Sequence, residues 1–216
     1  MARPHDPRAK IELLRAAEAV FIEHGLDRAR VEDITAKAGR SKGSFYLHFE
    51  SKEEAFQQIV ETLLAQLAGC VDEPPPADVS TLGDVLKVQR QRSIEVFDFL
   101  WSRRALMKLM MSGGGAAAHA HLIDELAEQL RLAIRRWLAW GQPLGLYRDD
   151  LDLEVVSLAM SGAYDRVARF VVHQTRKPDL TALVDEMLRF EAHAIGTADY
   201  IAMIDRLVTN PSKENP

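Results

Sequence analysis

The sequence predicts an all-α protein. Three observations carry that prediction. Apolar residues recur at helical spacing through most of the chain; glycines, prolines and capping residues punctuate those segments; and no stretch alternates apolar and polar residues as a half-buried strand would. No internal repeat interrupts this pattern.

The elements follow in order. Ile11 to Glu23 is a first amphipathic helix, stopping near His24-Gly25. Val31, Ile34 and Ala38 mark a short second helix. Gly39 falls just past it, where a left-handed residue closes a helix. Ser41 is placed as the N-cap of a third helix, Lys42 to Phe49, which buries Phe45 and Phe49 four residues apart. Ser51-Lys52-Glu53-Glu54 has the form of a capping box, with Ser51 as N-cap and Glu54 at the third helical position. The helix it opens runs through Ala55 to Leu67 and reaches Gly69-Cys70. Pro74-Pro75-Pro76 then reads as a stiff linker. Further helices are expected from about Leu82 to Trp101 and from Ala105 to Met111, followed by the interruption Gly113-Gly114-Gly115. A long helix from Ala116 ends near Trp140-Gly141, and Gln142 to Asp150 is a loop. Asp152 to Gln174 is a long, very apolar helix. Asp179, after Pro178, caps another reaching Ala194, and Tyr200 to Val208 adds a short last one.

The third helix carries an unusual load. Its first turn, Lys42, Gly43 and Ser44, sets a cation, a bare backbone and a hydroxyl at a helix N-terminus, a position suited to phosphates and base edges. Gly43 costs a helix about 1 kcal/mol relative to alanine, and close approach to a DNA backbone would compensate.

Composition bounds the function. At 216 residues and 47% apolar, the chain is long enough for one small and one larger domain. No run of 18 apolar residues exists, so no membrane helix is expected. MARPHDPRAK contains no apolar segment of the kind that starts a secretory signal. The single cysteine, Cys70, suits a reducing compartment and reads as a buried small residue, so a soluble, cytoplasmic protein is expected. The net charge of −5 divides unevenly: residues 1–52 carry 10 Lys and Arg against 8 Asp and Glu, the remainder 17 against 24. A modest amino-terminal basic excess beside an acidic remainder confines DNA to one face rather than coating the protein with it.

Residues 10 to 56 resemble the DNA-binding domain of the TetR family of transcriptional regulators. The resemblance is carried by Ile11, Leu14, Ala17, Phe21 and Gly25, then Val31, Ile34, Ala38, Gly39 and Ser41. It continues through Lys42-Gly43-Ser44-Phe45-Tyr46, His48-Phe49 and Ser51-Lys52. Two positions depart from the family pattern. Arg40 stands where the family usually has valine, and Ala29-Arg30 where it commonly places a capping threonine. Both arginines bear on phosphate contacts or operator preference.

The resemblance implies a three-helix helix-turn-helix DNA-binding domain, residues 1–52, and a larger helical bundle for ligand binding and dimerisation, residues 53–216. It implies a homodimeric, ligand-responsive transcriptional regulator, a repressor, that binds palindromic double-stranded DNA. Lys42, Ser44 and Leu47 are the expected base-edge residues, Leu47 suiting a thymine methyl. Tyr46, His48 and Lys52 are expected at phosphates, with Arg30, Arg40 and Gly43 completing the DNA-binding set. The last two long helices are expected to pair with their copies through Val156, Met160, Ala163, Val167, Leu183, Met187 and Phe190. A small apolar or aromatic effector is expected among Phe97, Trp101, Met107, Met110, Met111, Trp137, Met160 and Tyr164.

Other constellations carry less. His119 and His121 point to different sides of a helix, so no metal is expected. Asp149, Asp150 and Asp152 read as helix caps rather than a cation site. Arg90-Gln91-Arg92, Arg103-Arg104 and Arg135-Arg136 read as solvated faces. No P-loop, nucleophile elbow, zinc-protease or dinucleotide motif appears, so neither an enzyme nor a cofactor is expected. The alternatives are an all-α ligand-binding protein or enzyme with a vestigial helix-turn-helix, and a regulator without a small effector.

Overall fold

The structure, a computed structural model, describes residues 7–71, 81–112 and 120–209. Among them the chain is helical, and its only strand-like feature is an isolated bridge between Tyr147 and Gly196. The helices are α1 (Pro7–His24), α2 (Val31–Ala38), α3 (Lys42–Tyr46), α4 (Lys52–Val71), α5 (Leu82–Ser102), α6 (Arg104–Ser112), α7 (Ala120–Gly141), α8 (Leu153–His173), α9 (Leu180–Ile195) and α10 (Ala198–Thr209). The polyproline and triple-glycine segments and His119 lie outside the described residues.

Local chemistry sets most of these limits. Gly39 takes φ 64° and ends α2, its successor Arg40 donating its N–H to Thr35 O. Ser41 Oγ accepts the Ser44 N–H at 3.2 Å, and Ser51 Oγ accepts the Glu54 N–H at 3.1 Å. Glu54 reaches back to the Glu50 N–H, one residue beyond the expected partner. Asp152 and Asp179 cap α8 and α9 through their carboxylates.

The helices form two compact units, Met1–Gln66 with Arg103–Glu125, and Leu67–Ser102 with Leu126–Pro216. In the first, α1 packs on α2, α3 and α6. Leu13, Phe21, Ile34, Phe45 and Phe49 are buried there, and Phe21 meets Phe56 of α4 edge-on at 5.5 Å. In the second, α5 packs on α8, α9 and α10. Arg90 of α5 grips Asp185 of α9 with two hydrogen bonds, Nε to Oδ1 at 2.6 Å and Nη2 to Oδ2 at 2.9 Å.

Three expectations are corrected. The third helix stops at Tyr46 instead of Phe49, because the His48 and Phe49 N–H groups both turn back to Phe45 O and tighten the last turn. Cys70 is exposed, lying on the outer side of α4 near its end. Arg90 and Arg103 are not solvated; each is held in a part-buried ion pair, with Asp185 and Glu18. In α8 only Ser157, Val171 and Val172 are buried, while Val155, Leu158 and Phe170 stay exposed.

Candidate nucleic-acid interface

The first unit presents α3 by burying one side of it. Phe45 and Phe49, at 0% and 2% exposure, anchor the segment, their rings 5.2 Å apart. That anchoring turns Tyr46 and Leu47 outward, to 57% and 66% exposure. A large apolar side chain so fully in water is unusual for a structural role and suits contact with a base methyl. His48 is half-buried against Phe49. Ser44 is half-buried with its N–H committed to Ser41. A Cβ built on Gly43 would meet only Ser41 Oγ, at 3.8 Å, so nothing within the protein requires glycine there.

The cations of this face are matched by acids of the same unit. Lys42 is paired with Glu32 of α2. That hydrogen bond holds the Glu32 carboxyl below its usual range and raises the Lys42 ammonium. Arg40 Nε donates to Glu12 of α1 at 2.8 Å, and Lys37 pairs with Glu23 at 3.5 Å. Arg30 is exposed and opens α2 with extended backbone and no side-chain cap, as expected from the missing threonine. Lys52, expected at a phosphate, is bonded within its own unit. Its Nζ donates to three backbone carbonyls of the α1–α2 turn, Leu26 at 2.9 Å, Asp27 at 3.0 Å and Ala29 at 3.0 Å.

The residues expected to line an effector site fall into two groups. Met107, Met110 and Met111 lie on α6 in the first unit; Phe97, Trp101, Trp137, Met160 and Tyr164 lie in the second. Phe97 and Met110 are buried and the others half-buried. Trp137 packs edge-on against Trp140 at 5.2 Å. Tyr164 belongs to a cluster that the sequence reading missed. Glu191 of α9 accepts hydrogen bonds from Tyr147 at 3.0 Å, Tyr164 at 3.4 Å and Tyr200 at 3.5 Å. Burial pushes the Glu191 carboxyl above its usual range against the opposing pull of those hydroxyls, and raises all three tyrosines. One signal was available: Glu191 falls in the buried register of Val184, Leu188 and Ile195, where an acid is out of place.

On the expected dimer face, Phe190 is 70% exposed and Ala163 is exposed. Val156, Met160, Val167, Leu183 and Met187 are half-buried. Among the described residues no three His, Cys, Asp or Glu side chains gather into a metal-binding group, and no helix is long and apolar enough to cross a membrane.

A short capped helix, reached through a glycine turn from the helix before it and offering its outer side chains to solvent, defines a DNA-binding helix-turn-helix protein. Residues 13–59 match the bacterial regulatory proteins of the tetR family. The chain is 30% identical over 146 residues to the HTH-type transcriptional repressor KstR2 of Rhodococcus jostii, covering 68% of this chain and 71% of that one. It is 24% identical over 198 residues to the probable acrEF/envCD operon repressor of Escherichia coli, covering 84% and 86%. Among solved structures, SmeT, the repressor of a Stenotrophomonas maltophilia multidrug efflux pump, shares the fold. Its complex with triclosan superposes with a TM-score of 0.73 at 22% identity, over 89% of this chain and 94% of that one. The chain belongs to the TetR family of DNA-binding transcription regulators.

Proposed function

We propose that this regulator is a homodimeric, cytoplasmic repressor that binds a palindromic operator and is released by a small apolar or aromatic effector. The observation that carries the DNA reading is the outward pair Tyr46 and Leu47, held there by the buried Phe45 and Phe49. In this reading Lys42, Ser44 and Leu47 meet base edges. Tyr46, His48, Arg30 and Arg40 meet phosphates, and Gly43 lets a strand come close. Arg40 and Lys42 exchange their carboxylate partners for phosphates on binding, a trade that exposed and salt-screened pairs allow.

Dimerisation is supported by the apolar side chains left in water on the last two long helices of the second unit. Val155, Leu158 and Phe170 on α8 recur with the periodicity of one helix face, together with the exposed Ala159, Gly162 and Ala163. Phe190 is the counterpart on α9. The proposed seam therefore keeps Ala163 and Phe190 at its centre, with Val156, Met160, Val167, Leu183 and Met187 at its inner edge. Two-fold pairing has a purpose, since two recognition helices must reach successive major grooves about 34–36 Å apart.

The effector reading rests on the Trp, Phe and Met content of the assigned residues and on the triclosan complex of SmeT. Binding would favour one of two dimer shapes by differential affinity, and α4 would carry the change to the reading helices. Selection of bound fragments from random duplexes tests the core of the proposal. A palindromic winner with half-sites one turn apart is expected; no preference over bulk DNA would end the DNA reading. Titration of triclosan against the protein–duplex complex is the first effector experiment.

A further inference from the structure

We propose that Lys52, at the start of α4, does not contact DNA but is the clamp that positions the DNA-reading helices. The inference rests on the DNA-binding reading above and on the geometry of one ammonium group. An ammonium has three N–H donors and no acceptor. Here Leu26 O, Asp27 O and Ala29 O take all three, at 2.9, 3.0 and 3.0 Å. A phosphate would have to displace one of these carbonyls from a side chain that is only 22% exposed, and would approach past the Glu53 carboxylate 3.8 Å away. Lys42, 56% exposed and held by a carboxylate, is the better placed cation for that task.

The position explains the need for a clamp. A cation on the first residue of a helix lies at the unfavourable end of the macrodipole. Three carbonyl dipoles aimed at Nζ compensate. In return, the ammonium satisfies carbonyls of a turn whose own backbone bonding is sparse, the Ala29 N–H to Gly25 O being one contact there. The clamped turn leads directly into α2, whose first bonds run from Asp33 and Ile34 to Arg30 O. Lys52 itself follows the Phe49–Ser51 exit from α3. One side chain thus ties the entry of α2 to the exit of α3, framing the pair of helices between two fixed points. Any displacement of the α4 start is delivered to both ends of the motif.

The test uses the full-length protein, a duplex enriched by the wild type from a random pool, and two variants compared at a temperature where circular dichroism shows them folded. Lys52→Met removes the donors and keeps the stem. Lys52→Arg keeps the charge, but its planar fork cannot serve three carbonyls arranged around one point. Both are expected to lose affinity by about tenfold, with the wild-type slope of affinity against salt. A slope smaller by ~1 in Lys52→Met would mean a lost phosphate contact and overturn the proposal. So would wild-type affinity in Lys52→Arg, which decides the matter alone if the methionine variant does not fold. A DNA-independent arm follows amide hydrogen exchange: residues 26–30 should exchange faster in the variants, and unchanged protection there sinks the clamp. If the wild type selects no duplex, the DNA reading fails, and the exchange arm still judges the clamp.

Discussion

At the scale of single residues, cations of the proposed reading face are paired with acids of their own unit. Glu32 is paired with the Lys42 ammonium and, in the proposed complex, would set a negative charge beside the DNA backbone. Glu32→Gln should therefore tighten binding to every duplex and make the salt dependence steeper by up to ~1, as measured by fluorescence anisotropy across a salt series. Unchanged affinity at low salt would show that Lys42 is not engaged with DNA. In the second unit, Glu191 makes a pH prediction. Its folded pKa lies above the ordinary 4.5, so its contribution to stability is complete below that value and is lost as pH rises through the folded pKa. Glu191→Gln should flatten this part of the stability–pH curve and be at least as stable as wild type at pH 8. Glu191→Ala should cost about 1–3 kcal/mol by orphaning the Tyr147 and Tyr164 hydroxyls. Denaturant titrations over pH 4–8 decide it, and a parallel pH profile for wild type and Gln variant would refute the assignment.

At the scale of elements, the proposed role of Gly43 in α3 separates folding from binding. A methyl group there meets only Ser41 Oγ at 3.8 Å. Gly43→Ala should thus stabilise the folded protein by up to about 1 kcal/mol in thermal melts while weakening operator affinity by tenfold or more. Equal or better DNA binding would remove the close strand approach from the picture. Helix boundaries were legible wherever their chemistry is local. Gly39, Ser41, Ser51, Asp152 and Asp179 each act within three or four residues, and each does what its position foretells. The α3 terminus was misjudged because the shared Phe45 carbonyl ends the helix before its apolar stripe does. Which side of α8 turns inward was not legible either, since its apolar residues surround the axis and only packing on α5 chooses among them.

At the scale of the whole molecule, what escaped the sequence are links between distant segments. Arg90 and Asp185 are 95 residues apart, and Tyr147 and Glu191 are 44 apart; no spacing rule joins either pair. Effector residues are equally hidden, because Trp and Met at helical spacing look the same in a ligand wall and in an ordinary core. The proposed dimer seam rests on a clearer mark, the exposed Phe190 and Phe170. Phe190→Asp should raise the dimer dissociation constant by at least about a hundredfold in sedimentation equilibrium, with little change in protomer stability. A variant that still sediments as the wild-type dimer would move the seam elsewhere.

Cys70 offers a direct way to test whether α4 carries the proposed change in dimer shape. It is the chain's sole thiol, it faces solvent, and it rides near the far end of the same helix that begins at Lys52. A nitroxide attached there, with no mutagenesis, marks one spot per protomer. Pulsed electron resonance on the proposed symmetric pair would then return a single distance distribution, and a shift upon adding duplex or triclosan would measure the proposed swing of α4 as a ruler does.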